Sequence, residues 1–197
     1  MKFVLGLTGQ TGAGKSSLHN VANDNGFYVI DCDKVARDVQ SRNSVLCALI
    51  RAFGTDILNK EGLLDRRRLA EKAFVSRDAT ELLNRTVLPF IVAELRYLID
   101  NTENNFILLD APTLYESGAD AMCNKTVGII ADEAVRIERI QHRDSLTDEE
   151  ALSRIKAGKP DDFFRNKCDF VLENNDDRQE FINNFDKLLK NILGGNF

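Results

Sequence analysis

Gly9, Gly14, Lys15 and Ser16 stand at the spacing G-x-x-x-x-G-K-[ST], and Gly12 adds another glycine inside the same stretch, GLTGQTGAGKSS at residues 6–17. Glycine lets a backbone take positive φ and bend closely round a ligand with no Cβ in the way. Successive amides then turn inward as a nest for an anion, at the positive end of the helix that follows. In that setting Lys15 reaches the β- and γ-phosphates of a nucleoside triphosphate and the Ser16 hydroxyl holds Mg²⁺. The apolar run KFVLGL before the loop reads as a short strand, and SSLHNVANDN after it as a helix ending before Gly26. That is the strand–loop–helix context the spacing needs. The loop takes a nucleoside triphosphate; it does not say what becomes of it.

Carboxylates stand where a second substrate would come. Asp31 and Asp33, in VIDCDKVAR, follow the second apolar run, and in an open α/β sheet the carboxyl ends of strands face the ligand crevice. Asp33 there either takes the proton of an acceptor hydroxyl or caps the helix beginning at Lys34. Asp110, in ILLDAP, either holds Mg²⁺ or is a turn residue beside Pro112. Arg136, Arg139 and Arg143 recur at steps of three and four, so they share one helix face. They close over phosphates, as guanidinium forks can, or form a solvated face with Glu133 and Glu138. The three arginines of LDRRRLAEKAF face a polyanionic acceptor or solvent. Asn166, Lys167 and Asp169 imitate the guanine-reading N-K-x-D, but they precede a strand and no D-x-x-G occurs in the chain. They read as a decoy.

The elements that must position these groups are legible from periodicity. The runs Phe3–Leu7, Phe27–Ile30, Phe106–Leu109, Val127–Ala131 and Phe170–Leu172 are short, nearly continuous and followed by polar residues, as buried parallel strands are. Helical patterns alternate with them. The expected fold is a three-layer α/β arrangement on a five-stranded, mostly parallel sheet. About 75 residues between the second and third strands carry only helical patterns: SVLCALIRAF, LDRRRLAEKAF, and TELLNRTV and FIVAELRYLID on either side of Pro89. Thr147 and Glu150 form a capping box, and Gly158 and Pro160 stop the helix it starts. A last helix, from about Asp177 to Leu193, buries Phe181, Phe185, Leu188 and Ile192. The expected division of a single domain, 1–197, is a nucleotide core of 1–31, 104–131 and 167–197, a helical acceptor region of 32–103 and a lid of 132–166.

Composition bounds the partners. The 197 residues are 43% hydrophobic and 29% charged, ordinary for a soluble globular chain. A net charge of −5 argues against a nucleic-acid partner. Four cysteines without C-x-x-C and two histidines disfavour a zinc site. Reduced thiols, no signal-like segment before the glycine loop, and no apolar run of membrane-spanning length predict a cytoplasmic protein. No membrane or protein partner is evident.

Taken in order, LTGQTGAGKSS, VIDCDKVAR, FGTDIL with LDRRRLAEKAF, LNRTVLPFI, LLDAPTLYESG, RIERIQHRDSLTDEEALSRI and FVLENN resemble the dephospho-coenzyme A kinase family, P-loop kinases of the nucleoside-monophosphate-kinase type. The resemblance covers nearly the whole chain. It implies transfer of the γ-phosphoryl group of ATP, with Mg²⁺, to the ribose 3′-hydroxyl of dephospho-CoA, the last step of coenzyme A synthesis. It implies that Gly9, Gly12, Ala13, Gly14, Lys15, Ser16 and Ser17 cradle ATP, with Asn174 against the adenine. It makes Asp33 and Lys15 catalytic, Arg139 and Arg143 lid arginines, and Thr8, Asp33, Arg37, Arg66 and Asp110 the acceptor side. Three departures stand out. Leu88 precedes Pro89 where the family usually has histidine, IKAGKP replaces a segment that often carries glutamine, and DAPTLYESG replaces D-x-P-L-L-F-E.

Overall fold

The computed structural model describes residues 2–175 and 177–195. Five strands, β1 (Phe3–Gly9), β2 (Tyr28–Asp31), β3 (Phe106–Asp110), β4 (Lys125–Ile130) and β5 (Phe170–Glu173), form one parallel sheet in the order β2-β3-β1-β4-β5. Central β1 runs two residues past the expected end, because Thr8 and Gly9 still pair with Gly128 and Ile129 of β4. The strands read as unbroken apolar runs because a buried sheet needs apolar side chains on both faces. On one face Leu5, Leu7, Leu108, Val127 and Ile129 pack against Leu18, Ala22 of α1 (His19–Asp24), and Phe181, Phe185, Leu189 and Ile192 of a C-terminal helix, Arg178–Leu193. Leu189, not Leu188, completes that helix stripe; Leu188 is half-buried at its margin. Steps of four, four and three keep Phe181, Phe185, Leu189 and Ile192 on one line.

Asp169, the last residue of the N-K-x-D run, is spent on the sheet. Its carboxylate accepts from Thr126 N and Oγ1 at 2.9 Å each and from Lys125 Nζ at 2.8 Å. That pins the start of β5 to β4, so the run is structural here.

The chain divides into two units, Met1–Asp31 with Thr102–Phe197, and Cys32–Asn101. The second is all-helical apart from one isolated bridge between Leu58 and Leu64: α2 (Cys32–Gln40), α3 (Asn43–Phe53), α4 (Arg66–Ala73) and α5 (Arg77–Asn101). Val39, Val45, Leu49, Ile57, Leu69 and Leu95 are buried within it. Pro89 does not divide α5, which runs unbroken for 25 residues. A proline removes one N–H, here the donor to the Arg85 carbonyl. Both residues are exposed, so water can replace the lost bond.

In the first unit, α6 (Glu133–Asp144) and α7 (Asp148–Lys156) form a hairpin round Ile140, Ala151 and Ile155, followed by α8 (Asp161–Lys167). The Thr147–Glu150 capping box is present. The C-terminal helix is α9. Among the described residues, no helix is long and apolar enough to cross a membrane.

Candidate active site

The loop after β1 is built by backbone strain that only glycine relieves. Gly9 has φ 147°, and a Cβ there would lie 2.2 Å from the Ile129 carbonyl oxygen. Gly14 has φ 95°, and its Cβ would meet Asn174 Nδ2 at 2.5 Å. From Gly14 the chain turns into a 3₁₀ segment, Lys15–Leu18, and only then into α1. Ser17 Oγ donates to the Gly14 carbonyl at 2.7 Å, whereas Ser16 is exposed. Lys15 Nζ lies 3.5 Å from the Gly9 carbonyl, folded back across the loop.

Two side chains brace this loop, and spacing gave no sign of the first. Gln10 is 4% exposed. Its Oε1 accepts from Ala131 N at 3.1 Å, and its Nε2 donates to Asp161 Oδ1 at 2.7 Å. It therefore ties the loop to the end of β4 and the start of α8. Asn174, just beyond β5, is buried and donates from Nδ2 to the Ala13 carbonyl at 2.8 Å. Arg139 Nη1 donates to the Asn174 carbonyl at 2.9 Å, so helix α6 is fastened to the same point.

The three arginines of α6 separate on structure. Arg136 is buried with its Nε unpartnered, and burial pushes its pKa down. Its backbone packs on the loop: a Cβ at Gly12 would meet the Arg136 carbonyl at 2.9 Å. Arg139 is half-buried on Asn174. Arg143 is exposed and forks onto Asp144 at 2.8 and 2.9 Å, which holds its pKa up, and Arg154 shares that carboxylate.

At the end of β3, Asp110 is 9% exposed and lies in register with Leu7 of β1 and Asp31 of β2. Its Oδ2 is 2.7 Å from His19 Nε2, and its Oδ1 is buried without a partner. The bond to Asp110 is the main cause that raises the His19 pKa. Thr8, fully buried beside this strand end, donates its hydroxyl proton to the Pro112 carbonyl at 3.2 Å.

The helical unit sorts its own candidates. Asp33 is exposed in the first turn of α2, two residues past β2, and Arg37 follows one turn later. Arg66, the first residue of α4, donates from Nη2 to the Arg37 carbonyl at 2.8 Å. Its neighbours are committed locally: Arg67 to Glu71, and Arg68 to Asp65 and the Leu58 carbonyl. Of the three consecutive arginines, Arg66 thus reaches α2, the helix that carries both Asp33 and Arg37. Leu88 is half-buried in α5.

A five-stranded parallel sheet whose central strand delivers a glycine-rich loop, lysine and serine defines a P-loop nucleoside-triphosphate-binding fold. The shikimate kinase of Bacteroides thetaiotaomicron shares that fold at TM-score 0.51 and 15% identity over 95% of this chain and 98% of its own. A model described as dephospho-CoA kinase matches residues 3–180. The chain is 33% identical to the dephospho-CoA kinase of Fusobacterium nucleatum, over 96% of this chain and 98% of that one. It is 36% identical to that of Corynebacterium glutamicum, over 96% of each. The dephospho-CoA kinase structure from Campylobacter jejuni superposes at TM-score 0.73, with 27% identity and full coverage of both chains. This chain belongs to the dephospho-CoA kinase family.

Proposed function

We propose that this chain transfers the γ-phosphoryl group of ATP to the ribose 3′-hydroxyl of dephospho-CoA, giving coenzyme A and ADP. The observation that carries the reading is the strained nucleotide loop in a chain that matches the family from residue 3 to residue 180. The 3′-oxygen attacks the γ-phosphorus, the bond to the β,γ-bridging oxygen breaks, and the hydroxyl proton passes to Asp33. Such transfer needs little covalent chemistry from the protein; positioning and charge stabilisation supply the rate. Gly9, Gly12, Ala13, Gly14 and Ser17 present the loop that receives the phosphates, with Asn174 on the adenine side. Lys15 neutralises the β,γ-oxygens, and Arg139 and Arg143 meet the developing charge as the lid closes and excludes water. Arg37 and Arg66 hold the acceptor's phosphates by bidentate contacts, and Thr8 and Asp110 border its ribose.

Mg²⁺ fits the donors present: Ser16 Oγ is exposed beside the loop and Asp110 Oδ1 is an unpartnered carboxylate oxygen, both hard ligands. When bound, it would neutralise phosphate charge. None of the four cysteines forms a disulfide, which supports a cytoplasmic setting.

The test is ADP release from ATP with and without dephospho-CoA, in the parent and in Asp33→Asn. Asparagine keeps the shape but cannot take the proton. Turnover with dephospho-CoA is expected to fall by about 10²-fold, the lower part of the range for a positioned base, with ATP affinity unchanged. The helix begins at Cys32, so Asp33 is not the cap of a helix starting at Lys34 but a charge within the first turn of α2. Near-parental turnover would therefore leave Asp33 only that first-turn role.

A further inference from the structure

Asp110 combines deep burial with incomplete pairing. Buried carboxylates normally have both oxygens satisfied, and an exception calls for a reason such as a bound ion. Here Oδ2 is taken by His19 Nε2 at 2.7 Å, while Oδ1 has no partner. His19 is the first residue of α1, one turn beyond Lys15 of the nucleotide loop. Asp110 is the last residue of β3. The bond therefore fastens the helix that carries the loop to the strand end beside it.

We propose that His19 is a positioning residue: by occupying Oδ2 it fixes the Asp110 carboxylate in one orientation and reserves Oδ1 for the divalent cation that accompanies the nucleotide. The inference rests on the kinase reading of this site. Its logic is electrostatic. Asp31 lies in register with Asp110 on the neighbouring strand, so two carboxylates stand side by side at this edge. An anionic edge repels phosphate oxygens unless a cation lies between them, and a hard, small cation accepts oxygen ligands of both kinds. Carboxylates that ligate metals are themselves held by hydrogen bonds, and losing such a partner typically lowers metal affinity by 10- to 100-fold. A carboxylate free to rotate would lose the fixed direction of Oδ1.

The probe is Mn²⁺, titrated by electron paramagnetic resonance into the full chain holding a non-hydrolysable ATP analogue. His19→Ala is expected to weaken Mn²⁺ binding about 10-fold. The affinity for the analogue in EDTA should not change. His19→Gln, whose amide can donate to Asp110, should restore most of the loss. Asp110→Asn should weaken Mn²⁺ at least as much as His19→Ala. Unchanged Mn²⁺ affinity in His19→Ala, or no recovery in His19→Gln, would overturn the assignment and leave a purely structural tether. If His19→Ala does not fold, the isosteric Asp110→Asn decides, since unchanged Mn²⁺ affinity there overturns it equally. Failure of the kinase reading has a different mark: the parent would neither bind the analogue nor release ADP with dephospho-CoA.

Discussion

Gly14 and Arg143 belong to one structural unit and are both assigned to the nucleotide, yet the structure holds their surroundings by opposite means. The loop round Gly14 is held by hydrogen bonds from two buried side chains, Asn174 on the Ala13 carbonyl and Gln10 on Ala131 and Asp161, and Gly9 leaves no room for a Cβ against Ile129. The α6–α7 hairpin round Arg143 has a core of a few aliphatic side chains and a surface cluster of Arg143, Asp144 and Arg154. Exposed ion pairs of that kind contribute little stability and exchange easily for other partners. The difference teaches a division of labour. A preorganised loop costs no reorganisation when phosphate arrives, whereas an arginine held only by a surface ion pair can leave one carboxylate for a phosphate.

The largest expected effect strikes the fixed half. Lys15→Ala removes a charge aimed at the phosphates, and loss of a preorganised contact of this kind costs about 2.7–4 kcal/mol of transition-state stabilisation. Turnover should drop accordingly, by roughly 10²- to 10³-fold, while the urea unfolding curve stays parental. Near-normal turnover would remove the loop from the chemistry.

Asn174→Ala should separate bracing from base contact. The buried Ala13 carbonyl loses its donor, and leaving such a group unsatisfied costs about 1–3 kcal/mol. A lowered urea midpoint with a raised KM for ATP is expected. If Asn174 served only the adenine, stability would hold and the ATP-over-GTP preference alone would shift.

These two residues also show what a sequence reveals. Lys15 is legible because its whole context, strand, glycines and helix, lies within one short stretch of chain. The bracing by Asn174 was hidden because Ala13 is 161 positions away. Gln10 was hidden for the same reason, its partners Ala131 and Asp161 lying 121 and 151 positions off. The sheet was readable since each strand is buried on both faces and shows it locally. Spacing placed Arg136, Arg139 and Arg143 on one face but could not rank them, because which one is buried depends on how α6 packs on Gly12. The helical patterns on either side of Pro89 join into one helix, because the bond that the proline removes lies on an exposed face.

Arg143→Ala probes the adaptable half. Its ion pair is exposed, so the unfolding midpoint should stay put. If the guanidinium engages phosphate chiefly in the transition state, turnover should fall while KM for ATP barely moves. A raised KM with unchanged turnover would make Arg143 a ground-state contact and would narrow the contrast between hairpin and loop.

The smallest effect is a pH slope from the fixed half, measured without metal. His19 has its pKa raised from 6.5, first by the bond to Asp110, then by the charges of Asp110 and Asp31, against opposition from burial and Lys15. A pKa that is higher folded than unfolded means that the native state binds the proton more tightly. The contribution is then fully present below about pH 6.5 and fades as pH climbs through the raised folded value. His19→Gln can still donate to Asp110 but cannot titrate. Between about pH 6 and pH 8.5 the urea midpoint of the parent should therefore fall relative to that of His19→Gln. Parallel pH profiles for the two proteins would mean that the bond forms with neutral imidazole, its Nε2 proton donated to a carboxylate that draws no charge onto the ring. The loop would then be held to β3 with equal strength across the whole range.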